Sequence, residues 1–150
     1  MSTVTASIEI AAPPERVWEV VMNPDCLHKW VTIHRDLLDA DEGPPRVGYT
    51  MGQRIHLRGV TLEVHWELVE CKSCARAVWE GRGPARSRAH TEYVLTQTNG
   101  GGTRFDYRNE FHAPLGPVGA IVSHALVGGI PQREANRTLA TLKEQIEHGR

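Results

Sequence analysis

The feature that most constrains the fold is a run of strand-like segments between residues 31 and 112, each separated from the next by turn-forming residues. Apolar and polar side chains alternate along these segments, and a repeat of two residues is typical of a β-strand. The alternation is clearest in the last segment, where one face carries Phe105, Tyr107, Asn109 and Phe111. Charged residues occupy the other face, so the pattern predicts an antiparallel sheet with one buried and one solvated side.

A further strand and two short helices are predicted ahead of this run. Residues 3–10 alternate like a strand. Pro14 and Glu15 are typical of a first helical turn, because that turn tolerates proline and its dipole favours an acid. This helix is expected to stop near Asn23, and a second short helical piece is expected to begin at Pro24 and to end at Trp30.

The last segment, residues 116–148, carries apolar or small side chains at steps of three and four and is therefore predicted to be an amphipathic helix. Pro131 lies inside it and must bend or break the helix, because proline removes a backbone hydrogen bond. Gly128 and Gly129, just before Pro131, are expected to leave space open beside the helix, because glycine has no side chain to fill it.

No other segment is long enough to cover the apolar face of the sheet, and that face must be covered. The sequence therefore predicts an α+β helix-grip fold, in which a curved antiparallel sheet of about seven strands surrounds a long C-terminal helix. We expect one ligand-binding domain that spans residues 1–150.

Composition and charge argue against several classes of partner. The formal net charge is -1 at pH 7, from 17 basic and 18 acidic residues, so we expect no nucleic-acid partner. The N-terminus lacks the features of a signal peptide, and no apolar stretch reaches the ~18 residues that span a bilayer. We expect a cytoplasmic protein without membrane insertion, and the sequence leaves open whether it is a monomer or a homodimer.

The three cysteines are expected to be ordinary thiols. Cys71 and Cys74 form a Cys-x-x-Cys motif, but no second pair of ligands follows at the spacing of a zinc finger. The motif joins two strand-like segments, whereas a redox pair usually begins a helix that lowers the thiol pKa. We expect no metal and no cofactor, and whether Cys71 and Cys74 ever pair stays open.

Motifs in almost every part of the chain resemble one superfamily. They run from Ile8 through Pro13, Pro14 and Trp18 to Trp30, and they continue at Val47-Gly48, Leu68-Val69-Glu70, Gly101-Gly102-Thr103-Arg104-Phe105, Leu115-Gly116, Leu139 and Leu142-Lys143. In this order they resemble the helix-grip (SRPBCC) superfamily, which includes the birch pollen allergen, START lipid-transfer domains and polyketide cyclase/dehydrase-like proteins. The resemblance implies a deep apolar cavity between sheet and terminal helix for a hydrophobic small molecule.

Strand alternation identifies candidate cavity residues, on the assumption that the terminal helix covers the apolar side of the sheet. The predicted ligand contacts from the sheet are Gln53, Ile55, Trp66, Trp79, Tyr93, Tyr107, Asn109 and Phe111. Those from the terminal helix are Ile121, Ala125 and Gly128. An aromatic wall with a few neutral polar groups is typical of a small-molecule pocket, although each of these side chains could also simply fill a core.

The direction of the side chains on the second strand decides between binding and catalysis. In one register Arg35 points inward, where a buried guanidinium requires an anionic partner. In the other register His34 and Asp36 point inward and can form an imidazole-carboxylate pair. The sequence leaves both registers open.

Three functions follow from these alternatives. The leading hypothesis is a protein that binds a hydrophobic, aromatic or polycyclic, polyketide- or lipid-like molecule. The second is a cyclase or aromatase without metal or nucleotide cofactor, in which Arg35, Tyr107, or His34 with Asp36 acts as acid, base or oxyanion partner. The third is a protein-interaction module that resembles the Hsp90-activator branch of the superfamily and binds its partner on the outer surface.

Overall fold

The computed structural model describes residues 2–112 and 130–149. Its strands are β1 (Ser2–Ile10), β2 (His34–Ala40), β3 (Thr50–Leu57), β4 (Val60–Lys72), β5 (Arg76–Arg82), β6 (Arg88–Gln97) and β7 (Thr103–His112). Its α-helices are α1 (Pro14–Val21), α2 (Leu27–Trp30) and α3 (Gln132–His148), with short 3-10 turns at Pro24–Cys26 and Pro84–Arg86.

The seven strands form an antiparallel sheet in the order β1-β7-β6-β5-β4-β3-β2. Strands β2 to β7 lie side by side in chain order, and β1 pairs with β7. This arrangement, with two short helical pieces after β1 and a C-terminal helix against the sheet, confirms the predicted α+β helix-grip fold.

Helix α3 is held against the rest of the protein by one apolar stripe. Ala135, Leu139 and Leu142 lie along this stripe and are almost fully buried, at 1%, 1% and 0% exposure. They are spaced by four and three residues, which places them on one face of a helix. The helix packs chiefly on β1 and α2.

The start of α3 follows from the chemistry of proline. Pro131 is the N-cap residue, and its carbonyl accepts hydrogen bonds from the backbone N–H groups of Glu134 and Ala135. Proline is suited to a helix start because its missing N–H is not needed there. The predicted break at Pro131 is confirmed, while the part of the predicted helix within residues 113–129 lies outside the described residues.

Arg58 and Gly59 form a tight turn between β3 and β4. Both residues have positive φ, 49° and 79°, between the paired strands β3 and β4. Turns of this kind match the right-handed twist of a hairpin, and glycine adopts the required backbone conformation without steric cost.

An aromatic cluster fixes α2 against the inner face of the sheet. Trp30 is 1% exposed and meets Tyr93 and Phe105 edge to face, with ring centroids 5.9 Å and 6.3 Å apart. Such pairs stabilise a fold by more than the burial of their apolar area alone. The cluster therefore positions α2 at one wall of the space between sheet and helix.

The outer face of the sheet carries a network of charged side chains. Arg76 contacts Glu70 and Glu92, each at 2.8 Å, and Glu92 also lies 3.4 Å from Nε2 of His90. These groups lie on neighbouring strands, where opposite charges stabilise cross-strand pairs. Within the described part of the chain, no helix is both long and apolar enough to cross a membrane.

Candidate functional site

A cavity of about 110 Å³ lies between the inner face of the sheet and α3. All eight sheet residues predicted as ligand contacts lie in its wall: Gln53, Ile55, Trp66, Trp79, Tyr93, Tyr107, Asn109 and Phe111. The three helix residues predicted with them, Ile121, Ala125 and Gly128, lie outside the described residues. The period of two thus located the sheet wall correctly, and contact with a ligand stays a prediction for all eleven.

The register of the sheet explains how these side chains come together. Tyr93 lies directly opposite Tyr107 on the paired strands β6 and β7, and Thr91 lies opposite Asn109. The rings of Tyr93 and Tyr107 have centroids 6.2 Å apart and are tilted by 30°. Directly opposed residues share one face of the sheet, so both pairs present their side chains to the cavity.

Several wall residues outside the sheet were not identified from the sequence. Leu27 and Trp30 from α2 and Ala135 and Thr138 from α3 line the cavity. Each pair is spaced by three residues, which places both members on one helix face. That spacing could have identified them, whereas nothing in the sequence indicates that the 3-10 turn Pro84–Arg86 also contributes to the wall.

Buried polar side chains in the wall bond to one another. The Nε1–H of Trp66 donates to Oε1 of Gln53 at 2.9 Å, and Nε2 of Gln53 lies 2.9 Å from Nδ1 of His34. Between β7 and β6, Nδ2 of Asn109 donates to Oγ1 of Thr91 at 2.7 Å. Gln53, Thr91 and Asn109 are each 5% exposed, so these bonds replace hydration that burial removes.

The two cavity tyrosines are uncharged. Burial raises the pKa of Tyr93, and the neighbouring Tyr107 raises it further. Burial also raises the pKa of Tyr107, against a smaller lowering by a hydrogen bond with Asn109. Both phenols therefore keep their protons at neutral pH and can donate an O–H.

Strand β2 adopts neither of the two registers that the sequence allowed. A bulge between His34 and Asp36 breaks the alternation, because His34 pairs with Ile55 while Asp36 pairs with Arg54. Consequently, His34 faces Gln53 on the inner side, and the exposed Asp36 forms an ion pair with Arg54 at 3.0 Å.

Both predicted arrangements of β2 are therefore corrected. Arg35 is exposed and is not a buried cation, and His34 and Asp36 do not point inward together. Of the residues predicted to be catalytic, Tyr107 lies in the cavity wall and the half-buried His34 contacts the wall residue Gln53. Arg35 and Asp36 face solvent.

The described wall of the cavity carries two charged side chains and no thiol. Among the lining residues that the structure describes, Arg88 and Glu134 are the charged ones. Arg88 is exposed, and the half-buried Glu134 accepts a hydrogen bond from Thr32 at 2.9 Å. The thiols of the cysteines are free, and no cluster of three or more metal-ligating side chains occurs within residues 2–112 and 130–149.

A curved sheet and a terminal helix with an apolar cavity between them define the class of helix-grip proteins. Residues 1–147 match the family described as polyketide cyclase / dehydrase and lipid transport, and the chain belongs to this family.

Individual relatives are distant in sequence but cover nearly the whole chain. Toxin Rv0910 of Mycobacterium tuberculosis is 24% identical over 143 residues, which is 95% of this chain and 98% of that protein. The crystal structure of TTHA0849 from Thermus thermophilus has a TM-score of 0.74 at 22% identity and 96% coverage of both chains. That of DR_A0006 from Deinococcus radiodurans has a TM-score of 0.72 at 17% identity and full coverage of both. These structures share the fold of this chain.

Proposed function

We propose that the protein binds an uncharged, hydrophobic small molecule with an aromatic ring in the cavity between the sheet and α3. The observation that carries this proposal is a mostly apolar cavity into which a few neutral polar side chains are built. Small-molecule sites combine these two properties, because the apolar wall provides affinity and the polar groups orient the ligand.

The aromatic side chains of the wall favour a ring. Trp66, Trp79 and Tyr107 all line the cavity, where Trp66 and Tyr107 are half-buried. Aromatic faces and edges attract another ring through dispersion and through their quadrupoles. A planar ligand would therefore gain more from this wall than a branched aliphatic one of equal size.

The polar groups of the described wall favour a neutral ligand. Gln53, Asn109 and Thr91 carry no charge, and the raised pKa values of Tyr93 and Tyr107 keep the two phenols protonated. Apart from Arg88 and Glu134, the described wall offers a charged ligand no opposite charge in return for its lost hydration, which is costly. A neutral ligand with one polar group loses far less.

The cavity volume sets the expected size of the ligand. It is about 110 Å³, and an engineered apolar cavity of about 150 Å³ accepts benzene. We therefore expect single-ring compounds to fit first. A polycyclic compound such as a sterol or an aromatic polyketide would require the walls to move apart.

A fluorescence titration tests the proposal, since Trp30, Trp66 and Trp79 line the cavity. The panel contains single-ring aromatics, aromatic polyketides, sterols and fatty acids. We expect saturable changes in Trp fluorescence with the single-ring compounds at concentrations below about millimolar, the weak end of the affinity scale. The proposal fails if no member of the panel binds in that range.

A matched pair of variants locates the binding. Ile55 lies half-buried in the cavity wall, so Ile55→Phe fills part of the cavity and should weaken binding at least tenfold. His56 is the next residue on β3 and is exposed on the other face, so His56→Phe should leave affinity unchanged. Equal affinities of the two variants would place the binding site outside the cavity.

A further inference from the structure

The orientation of the Gln53 amide follows from its two neighbours. The indole N–H of Trp66 is a donor only, so the atom 2.9 Å away must be the carbonyl oxygen of Gln53. The amide nitrogen then faces Nδ1 of His34, also at 2.9 Å. Exchanging the two ends of the amide would set two donors against each other at Trp66.

The same reasoning assigns the tautomer of His34. The amide nitrogen of Gln53 is a donor only, so Nδ1 of His34 must accept and the imidazole proton lies on Nε2. Burial lowers the pKa of His34, the nearby His28 of α2 lowers it further, and Asp36 on its own strand opposes both. The ring is therefore neutral at neutral pH, as this contact requires.

These two contacts leave part of the Gln53 side chain unused. A primary amide has two N–H donors and two oxygen lone pairs, and within the described residues one of each is bonded. Gln53 is only 5% exposed and lies in the cavity wall. The remaining N–H and lone pair can therefore bond to a group inside the cavity, and such a bond would stabilise the buried amide further.

We propose that Gln53 is the residue that hydrogen-bonds to the polar group of the ligand, and that this ligand carries an acceptor and a donor side by side. A primary amide, a lactam or an undissociated carboxylic acid has this arrangement. His34 acts as a positioning residue, because it fixes the amide of Gln53 without contacting the ligand. The inference rests on the proposed function and specifies the chemistry of its ligand.

Three probes of similar shape test the inference: benzamide, acetophenone and α-methylstyrene. Benzamide offers an acceptor and a donor, acetophenone an acceptor only, and α-methylstyrene neither. In the unmodified protein we measure the ratio of the dissociation constants of α-methylstyrene and benzamide, and we repeat the measurement in Gln53→Met. The ratio should fall about tenfold, since two neutral hydrogen bonds are lost. The change for acetophenone should be about half as large on a logarithmic scale.

An unchanged ratio in Gln53→Met overturns the role of Gln53 but leaves binding in the cavity intact. Failure of all three probes to bind the unmodified protein overturns the proposed function as well. Gln53→Leu provides a second variant of similar size, which has neither an amide N–H nor an oxygen and should also lose its preference for benzamide. The two proposals therefore fail in different ways.

The positioning role of His34 has its own readout, the NMR resonance of the Trp66 indole N–H. When the pH falls through the pKa of His34, Nδ1 becomes a donor and can no longer accept from Gln53. The amide must then reorient, so the Trp66 resonance should titrate in the unmodified protein with a midpoint below the ordinary value of histidine. In His34→Asn the side-chain oxygen still accepts but does not titrate, so the resonance should be constant. A resonance that titrates identically in both proteins overturns this role.

Discussion

Gly81 lies directly beneath the indole ring of Trp66, its partner across strands β4 and β5. A Cβ atom at position 81 would lie 2.8 Å from Cε3 and Cζ3 of that ring. Real contacts of this kind are longer, so the absence of a side chain at Gly81 leaves the space in which the Trp66 ring lies. A glycine inside a strand often marks such a close approach.

The first prediction concerns this contact. Gly81→Ala should displace the Trp66 ring and lower the free energy of unfolding by about 1–3 kcal/mol, the usual cost of overpacking. Urea denaturation measures the loss, and a shift in Trp emission reports the movement of the ring. Gly100→Ala is the control, because a Cβ there meets nothing within 4 Å. Equal stabilities of the two variants would show that the ring does not need the space above Gly81.

The second prediction concerns the buried pair Asn109 and Thr91. Thr91→Val keeps the shape of the side chain but removes the oxygen that accepts from Asn109. The unfolding free energy should fall by about 1–3 kcal/mol, because a buried donor loses its partner. Adding Asn109→Leu to Thr91→Val should recover part of the lost unfolding free energy, because the unpaired donor is then removed. Thr96→Val, at an exposed position of β6, should change stability by less than about 0.5 kcal/mol. An unchanged stability of Thr91→Val would contradict this account of the pair.

The third prediction concerns pH and the outer face. Burial alone would lower the pKa of His90, but its contacts with Glu80 and Glu92 outweigh burial and raise it. A raised folded-state pKa stabilises the protein fully below the unfolded value of about 6.5, and the contribution disappears as the pH rises through the folded value. Burial raises the pKa of Glu92, but hydrogen bonds from His90 and Arg76 outweigh burial and lower it. Glu92 therefore stabilises the folded protein above its unfolded pKa, and this contribution is lost as the pH falls through the folded value.

His90→Gln should therefore lower the free energy of unfolding most near pH 5–6, by roughly 0.2–1 kcal/mol for a partly exposed pair, and hardly at all above pH 8. Urea midpoints measured across this range provide the test. His65→Gln is the control, because His65 is exposed and its described neighbours supply no ion pair. A stability difference that does not vary with pH would be inconsistent with the role assigned to His90.

Where strands are regular, the sequence predicted which side chains face the inner side of the sheet. Gln53 and Trp66 were placed inward by the period of two alone, and the structure has both in the wall. The break at Pro131 could also be predicted from the sequence, because its cause is local: proline has no N–H to donate. Such features need no knowledge of how the chain packs.

The bulge in β2 could not be predicted in this way. Whether His34 and Asp36 share a face depends on how β2 pairs with β3, and a bulge changes that pairing without a mark in the strand's own residues. The inward position of Leu27 was missed, although its spacing of three residues from Trp30 places both side chains on one face of α2. The bonds of Gln53 to His34 and Trp66 join three strands, and only the assembled sheet shows them.

The central claim, that a ring-containing ligand occupies the cavity, is tested most directly by intermolecular NOEs from bound benzamide to the protein's methyl groups. Ile55 and Val64 have methyl groups in the cavity wall, whereas Val47 and Val69 are exposed, at 64% and 40%. We expect NOEs from the ring protons of benzamide to the methyl groups of Ile55 and Val64. NOEs to Val47 and Val69 alone would place the ligand on the surface and contradict the claim.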